Sequence, residues 1–194
     1  MNRIGDDQLK QLIEAALFVA EQPLSARQLK ETVLAEFQVS PARINAVLAD
    51  LELDYRPRGI QLVKVAGGYR FQSHPDLSPQ LSALWQERSP RYSRALLETL
   101  ALIAYRQPIT RGEIERVRGV SVGANLIRTL TERGWVRIVG HKEVPGRPAL
   151  YATTDEFLQY FCLDSLAELP PLEDEQALQA LFGQSAADTE SPIH

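Results

Sequence analysis

RALLETLALIAYRQPITRGEIERVRGV, residues 94–120, is the stretch around which the chain is organised. Its first half carries apolar residues at the i, i+3, i+4, i+7 spacing that is typical of the buried face of a helix. Pro108 ends this helix, because proline disfavours helical geometry in the residue before it. Thr110 and Glu113 then form a capping box that begins a second short helix, which ends at Gly119. The stretch therefore predicts the core of a helix-turn-helix motif.

The chain contains this pattern twice. Two segments align at a shift of 85 positions: residues 17–31, LFVAEQPLSARQLKE, and residues 102–116, LIAYRQPITRGEIER. Both copies have a Gln-Pro pair, a Ser or Thr two residues after the proline, and a Gln or Glu three residues after that cap. We interpret three features as matching between the copies: the spacing of the apolar residues, the Gln-Pro pair that forms the corner between two helices, and the capping residue that follows it. A repeat of this length is the size of a small domain, so we predict two copies of one fold.

A third helix and a hairpin are predicted to follow each corner. In the first copy, Ser40 and Pro41 begin a helix that runs to about Tyr55, after an opening helix over residues 7–21. Two β-like runs, joined by Ala66-Gly67-Gly68, come next. In the second copy we predict a helix over 121–133, strands over 135–140 and 149–153 with a turn at 144–147, and a helix over 155–161. The predicted fold class is mainly α with small β-hairpins (α+β), arranged as tandem winged-helix domains.

The domain boundaries follow from composition and charge. Residues 91–160 hold eleven Lys/Arg against seven Asp/Glu, whereas residues 161–194 hold seven acids and no Lys or Arg. From Pro170 onward the pattern weakens, which favours disorder, apart from a short docking helix that residues 177–182 allow. We predict an N-terminal winged-helix domain over 1–74, a linker over 75–91, a C-terminal winged-helix domain over 92–165 and an acidic tail over 166–194.

Catalytic chemistry is not indicated. His74, His141 and His194 are far apart in sequence, and none has a companion at the spacing of zinc ligands. Cys162 follows an aromatic residue in an apolar run and is interpreted as a small buried hydrophobe. No glycine-rich phosphate loop is present. We predict no catalytic residue, cofactor or metal.

The compartment is predicted from the same composition. The chain has one cysteine, which suits a reducing cytosol. The start of the sequence does not have the pattern of a secretory leader, and no apolar run approaches the roughly 20 residues of a membrane span. We therefore expect no membrane association.

Winged helices often bind DNA through the third helix, so this function needs weighing. In the first copy that helix carries Arg43 together with three acidic residues, and in the second it carries Arg128 and Arg133 together with Glu132. DNA-binding proteins usually have a denser basic stripe, because their affinity comes largely from neutralised phosphates. A winged-helix transcriptional regulator is therefore the alternative function, and any DNA contact is expected to be weak or indirect.

The second copy resembles the bacterial segregation and condensation protein B (ScpB) family. The resemblance is carried by ALLETLALIAYRQPITRGEIERVRGV and LIRTLTERGWVRIVGHKEVPGRPALYATTDEFLQYF, and by LIEAALFVAEQPLS near the N-terminus. It covers roughly residues 8–165. It implies a non-catalytic subunit of the SMC–kleisin condensin complex, which acts in chromosome condensation and segregation. Such a subunit is expected to be cytoplasmic and associated with the nucleoid.

The resemblance also implies partners. Members of the family dimerise, largely through the N-terminal domain, and bind the kleisin ScpA, which in turn bridges the heads of the SMC ATPase. ATP hydrolysis belongs to the SMC protein.

By position, six residues are predicted near the kleisin. They are Tyr105, Gln107, Pro108, Arg147, Pro148 and Tyr151. For Pro108 and Pro148, simple corner and turn geometry remains the alternative explanation. Tyr105 is favoured because Ala20 replaces it in the first copy, while the neighbouring apolar positions match.

The dimer contact is predicted on the first helix, which is apolar over more than one face. That surplus indicates either a subunit interface or a helix enclosed by its own domain. The predicted dimer residues are Leu9, Leu12, Ile13, Leu17 and Phe18. Several of these residues are also candidates for ordinary core positions.

Overall fold

The computed structural model describes residues 2–84 and 92–171. The chain divides into two compact units, one before the gap and one after it, except that Leu163–Ser165 belong to the first. The predicted linker falls partly in the first unit, because residues 75–84 form short helical turns there. The rest of that linker, and the predictions for the tail beyond residue 171, lie outside the described residues.

The first unit has three helices followed by a hairpin. Its elements are α1 (Asp6–Val19), α2 (Ala26–Glu31), α3 (Pro41–Tyr55), β1 (Ile60–Val65), β2 (Gly68–Ser73), a 3₁₀ turn (Pro75–Leu77), α4 (Ser78–Leu81) and a second 3₁₀ turn (Ser82–Leu84). The predicted capping box forms, because the Ser25 hydroxyl accepts from the Gln28 N–H and the Gln28 side chain accepts from the Ser25 N–H. Ser40 caps α3 in the same way, by accepting from the Arg43 N–H.

The second unit repeats this order. Its elements are α5 (Arg94–Arg106), β3 (Ile109–Thr110), α6 (Arg111–Arg118), α7 (Ala124–Glu132), β4 (Val136–His141), β5 (Ala149–Thr153), α8 (Asp155–Tyr160) and a 3₁₀ turn (Leu166–Glu168). Thr110 and Glu113 form the predicted capping box, and Gly119 ends α6 at a φ of 71°. Helix α7 begins later than predicted, because the buried Val122 donates its N–H to the Glu115 carboxylate instead of entering the helix.

Small antiparallel sheets complete both units. Strands β1 and β2 pair from Ile60 opposite Ser73 to Val65 opposite Gly68. In the second unit the strand order is β3-β5-β4, and a bulge interrupts β4 between Ile138 and Gly140. The short strand β3 was not predicted. Both units therefore have the winged-helix arrangement of three helices and a hairpin, which confirms the predicted fold class.

The turn between β1 and β2 is tight, and the segment Leu163–Ser165 holds it. Ala66 and Gly67 both have positive φ, 51° and 73°, as a two-residue type I′ hairpin requires. The Ala66 N–H donates to the Leu163 carbonyl (2.9 Å), and the Gly67 N–H donates to the Asp164 carboxylate (2.9 Å). Lys64 pairs with the same carboxylate at 2.7 Å, and these hydrogen bonds, that of Lys64 first, hold the pKa of Asp164 below its usual value.

Each unit has its own apolar core. The fully buried side chains of the first unit include Leu9, Ile13, Leu29, Leu34, Ile44, Leu48 and Leu51, and those of the second include Leu100, Ile103, Ile114, Leu130 and Phe157. Burial of each such side chain stabilises its unit by roughly 1.5–3 kcal/mol before conformational entropy is counted. Cys162 is not in either core. It is exposed, at a φ of 55°, so the interpretation of this residue as a buried hydrophobe is wrong.

The two copies agree at the corner but not along the preceding helix. At the shift of 85 that aligns the corners, Ile103 is aligned with Phe18. Ile103 is buried, whereas the Phe18 side chain is 74% exposed. The buried faces align at a shift of 87, which places Ile13 on Leu100. The reason is that two more residues separate α1 from its corner proline than separate α5 from its own. The prediction that the apolar phase also matches at the corner shift is therefore wrong.

Candidate partner-binding surfaces

The corner of the second unit is fastened by the Gln107 side chain. Its amide oxygen accepts from the Thr153 N–H (2.6 Å) and the Thr153 hydroxyl (3.0 Å), and its amide nitrogen donates to the Ala104 carbonyl (3.2 Å). The Gln107–Pro108 peptide bond is cis. Gln107, one of the residues predicted near the kleisin, thus connects the end of α5 to the end of β5. Pro108 beside it is exposed.

Three of the predicted kleisin residues lie together at this corner. Tyr151 on β5 pairs with Ile109, the residue that follows Pro108, and Gln107 bonds to Thr153 two residues further along β5. Gln107, Pro108 and Tyr151 therefore lie along one short sheet, which we call the corner strip. Pro148 immediately precedes β5 at the other end of this strip.

The hairpin of β4 and β5 is the wing of the second unit, and the turn between these strands positions Arg147. The Arg147 N–H donates to the Val144 carbonyl (2.9 Å), and Gly146 has a φ of 85°, as the predicted type II turn requires at that position. Arg147 pairs with Glu143 at 3.2 Å, with 71% of its side chain exposed. An exposed pair of this kind contributes little to stability, so the guanidinium is available to a partner.

Tyr105 is held by the chain's own C-terminal segment. Its hydroxyl donates to the Pro170 carbonyl, and both residues are half-buried. Burial raises the pKa of Tyr105. At the helix shift of 87 the equivalent of Tyr105 is the exposed Phe18 rather than Ala20, so the comparison that favoured Tyr105 is wrong. Each first helix carries an aromatic residue at this position.

The capping box of the second unit also carries an ion pair with the wing. Lys142 Nζ donates to the carboxylate of Glu113, whose other oxygen accepts from the Thr110 N–H (2.9 Å). These contacts, that of Lys142 first, lower the pKa of Glu113 to about 2. The start of α6 and the wing are therefore joined by a charged contact next to the corner strip.

The predicted dimer residues of α1 fall into two groups. Leu9, Ile13 and Leu17 are buried in the core of the first unit, and Leu12 is partly buried against that core. Leu9, Ile13 and Leu17 therefore offer no free surface, while Leu12 is covered only in part. Phe18 is the exposed member, and the next residue, Val19, is 75% exposed. The alternative that the domain encloses α1 on every face is therefore wrong.

Phe18 borders a groove of about 310 Å³ that the sequence did not reveal. The groove is lined by Gln11, Glu14, Ala15, Phe18, Tyr55, Ile60 and Phe71. The Tyr55 hydroxyl donates to the Glu14 carboxylate, and this hydrogen bond, first among the causes, raises the pKa of Tyr55. An exposed aromatic side chain beside an open, largely apolar groove is typical of an interaction surface.

The second unit also has an aromatic cluster that the sequence analysis did not predict. Its rings are those of Tyr92, Trp135, Phe157, Tyr160 and Phe161. The Arg133 guanidinium lies 4.5 Å from the Tyr92 ring centre, and the hydroxyls of Tyr92 and Tyr160 are 3.1 Å apart. Burial, followed by this hydrogen bond, raises the pKa of Tyr160 to about 12. The recurrence of aromatic residues near residues 157–161 was the available signal.

The third helices are poorly suited to bind phosphate. In α3, Arg43 pairs with Asp6 and donates to the Ile4 carbonyl (2.8 Å). In α7, Arg128 pairs with Glu132 at 2.7 Å, and at the end of that helix Arg133 stacks on Tyr92. Each third helix thus presents at most two basic side chains, each beside an acid or an aromatic ring, and carries no dense basic stripe, so the structure does not favour the DNA-binding alternative.

Within residues 2–84 and 92–171, no group of three or more His, Cys, Asp or Glu side chains is arranged to hold a metal ion. The helices in the same ranges are all too short or too polar to cross a membrane.

The family model described as segregation and condensation complex subunit ScpB matches residues 11–172. The chain belongs to the ScpB family. As a member of it, the protein is a non-catalytic subunit of an SMC condensin complex, with a function in chromosome segregation and condensation. The matched residues cover most of the first winged-helix unit, from within α1, and all described residues of the second.

Curated relatives support this assignment. The chain is 52% identical to a segregation and condensation protein B homolog of Coxiella burnetii, over 92% of this chain and 87% of that protein. It is 46% identical to segregation and condensation protein B of Moorella thermoacetica, over 97% of this chain and 95% of that protein.

Two solved structures are also similar in sequence. ScpB from Mycobacterium tuberculosis is 34% identical, over 81% of this chain and 96% of that chain, with a TM-score of 0.39. A dimer of an ScpB N-terminal domain complexed with a ScpA peptide is 32% identical, over 42% of this chain and 92% of that chain, with a TM-score of 0.35.

Proposed function

We propose that this ScpB-family chain forms a homodimer through its first unit and binds the kleisin ScpA through its second. The observation that carries the proposal is the family match over residues 11–172, because it covers residues of both units. A related N-terminal domain is described as a dimer complexed with a ScpA peptide, which supports dimerisation through the first unit and means that in this relative the N-terminal domain also contacts ScpA. The SMC ATPase is then reached through the kleisin.

The proposed dimer contact is the groove beside Phe18. Phe18 and Val19 are about three-quarters exposed, and removal of such side chains from water is favourable at roughly 25 cal/mol per Å². A two-fold dimer places the same patch on both partners, so Phe18 of one protomer lies against the groove of the other. Leu9, Leu12, Ile13 and Leu17 then act indirectly, by holding α1 in its own core.

The proposed kleisin contact is the corner strip together with Tyr105, Arg147 and Pro148. Strand β3 lies at the edge of the described sheet, but its two residues are buried and the Thr110 N–H is already bonded to Glu113, so an extended segment would contact the exposed side chains beside β3 rather than add a strand to it. Gln107 and Tyr151 support the strip, while Arg147 offers an exposed charge at its end. Pro108 adds an exposed apolar ring next to β3.

The proposal also places the protein in the cytoplasm, on the nucleoid, where its complex acts on the chromosome. Direct DNA contact is weak or absent, because neither third helix carries a dense basic stripe. No cofactor is required by a scaffold of this kind, since ATP hydrolysis belongs to the SMC protein.

A matched pair of charge reversals separates kleisin binding from DNA binding. Arg147 and Arg128 are both exposed, and each pairs with a glutamate four residues away, but only Arg128 lies on a third helix. We expect Arg147→Glu to weaken binding of the ScpA middle region about tenfold by calorimetric titration, and Arg128→Glu to leave it unchanged.

The opposite pattern would contradict the proposal. If Arg147→Glu binds the kleisin as the unchanged chain does, the wing is not part of the contact. The regulator alternative is correct if the unchanged chain does not bind the kleisin but binds one DNA sequence selectively at moderate salt. In that case Arg128→Glu should abolish the DNA binding.

A further inference from the structure

The last described residues of the chain are attached to α5. The Tyr105 hydroxyl donates to the Pro170 carbonyl, and both Leu169 and Pro170 are half-buried. This contact fixes where residues 172–194 begin, at the C-terminal end of α5. Whatever surface lies next to Tyr105 is therefore exposed to those residues at high effective concentration.

The outer face of α5 is partly apolar. Ala101, Leu102 and Tyr105 lie at the i, i+1 and i+4 positions of one helix face, and each is only half-buried. Arg106, in the last turn, is exposed and makes no ion pair with any described residue. This face thus combines an incompletely covered apolar stripe with a basic side chain at the end where Pro170 lies.

The residues after Pro171 have the complementary pattern. Glu173-Asp174-Glu175 begins three residues after Pro170, a span of about 10 Å when extended, which is enough to reach Arg106 from Tyr105. Leu178, Leu181 and Phe182 follow at i, i+3 and i+4, the spacing of one apolar helix face. The acidic run is complementary in charge to Arg106, and the apolar stripe that follows the run is complementary to the apolar face of α5.

We propose that residues 172–182 of this chain dock on the outer face of α5, with the acidic run against Arg106 and the apolar stripe against Ala101, Leu102 and Tyr105. The docked segment covers Tyr105, which belongs to the proposed kleisin contact, so it lowers the affinity for the kleisin until it is displaced. This second consequence rests on the proposed function. The docking itself does not.

The docking is tested on the full chain without any partner. The exposed Cys162 is replaced by serine, and a nitroxide label is attached at Gln176→Cys. We expect the label to broaden the amide signals of Leu102 and Tyr105 more than those of α7, by nuclear magnetic resonance. Arg106→Glu should reduce the broadening severalfold, as should high salt, because exposed ion pairs are screened. The matched control Arg116→Glu alters another exposed arginine with no described ion pair and should have no effect.

The competition is tested with the ScpA middle region. A chain that ends at Pro171 should bind it about threefold to tenfold more tightly than the full chain, as expected for removal of surface ion pairs and a short apolar contact. Because the Pro170 contact alone keeps the label near α5, broadening of α5 that neither Arg106→Glu nor high salt reduces overturns the docking. Broadening on α5 with equal kleisin affinity of the two chains overturns the competition. If neither chain binds the kleisin, the proposed function fails, while the label still decides the docking.

Discussion

The first helices of the two winged-helix units carry an aromatic residue at the same position, but only one of the two is covered. Phe18 of α1 is 74% exposed beside an open groove, whereas Tyr105 of α5 is half-buried and bonded to Pro170. The inward faces of the two helices are equivalent at a shift of 87. The two helices thus share the buried face and differ in how the outward face is covered, which is where partners are expected to bind.

The corners differ in a second way. Gln107 is bonded to Thr153 and Ala104, while Gln22, its equivalent in the first unit, is exposed and has no such hydrogen bond within the described residues. Next to the corner, the second unit has the strand β3, and the first has only the single bridge between Leu24 and Tyr69. The same Gln-Pro pair therefore makes a fixed corner in one unit and a simple turn in the other.

The largest expected effect falls on positions where the two units are alike. Leu29 and Ile114 occupy equivalent places after the corner, and both are fully buried. We expect Leu29→Ala and Ile114→Ala each to lower the free energy of unfolding of their own unit by about 2–5 kcal/mol, because each leaves a cavity. Urea unfolding, with hydrogen exchange to assign the loss to a unit, measures this. A change below 1 kcal/mol at either position would contradict the equivalence of the cores.

The next effect separates the two corners. Gln107→Ala leaves the Thr153 N–H without its acceptor and should lower the free energy of unfolding of the second unit by about 1–3 kcal/mol. Gln22→Ala is the matched control, and a change within about 0.5 kcal/mol is expected at this exposed site. Equal losses in the two variants, measured by urea unfolding, would mean that the corners are held in the same way.

A smaller effect concerns the capping boxes. The pKa of Glu113 is lowered to about 2 in the folded chain, against 4.5 for an ordinary glutamate. Its contribution to stability is therefore present above about pH 4.5 and is lost as the pH falls toward 2. Since the side chain is 32% exposed, solvent screening reduces this contribution to about 1 kcal/mol.

Glu113→Gln tests this directly, because glutamine is the residue that the first unit has at the equivalent position, Gln28. Between pH 7 and pH 3 the unchanged chain should lose about 1 kcal/mol more than the variant in the free energy of unfolding of the second unit. Identical pH profiles for the two proteins would show that the Lys142 pair contributes no stability.

The sequence predicted the helices, caps and hairpins well, because each depends on residues that are close together in the chain. Ser25 with Gln28 and Thr110 with Glu113 are examples, and both capping boxes form. Strand β3 was missed because two residues carry no periodic signal, and its pairing with Tyr151 joins distant parts of the chain.

The candidate surfaces were predicted less well. Alignment of the repeats at the corner hid the two-residue difference between α1 and α5, so Tyr105 was compared with Ala20. The groove beside Phe18 depends on Tyr55 and Phe71, which come from other elements and approach α1 only in the folded unit. The Pro170 contact of Tyr105 likewise joins residues 65 positions apart.

The central claim is that the open aromatic face of the first unit makes the dimer. Light scattering after size exclusion tests it on the unchanged chain, on Phe18→Asp and on Leu53→Asp, a control at another apolar residue of the first unit that is 55% exposed. We expect about twice the chain mass of 21.7 kDa for the unchanged chain and the control, and the single-chain mass for Phe18→Asp, with equal helix content by circular dichroism. A dimeric Phe18→Asp, or an unchanged chain that is monomeric, would contradict the account.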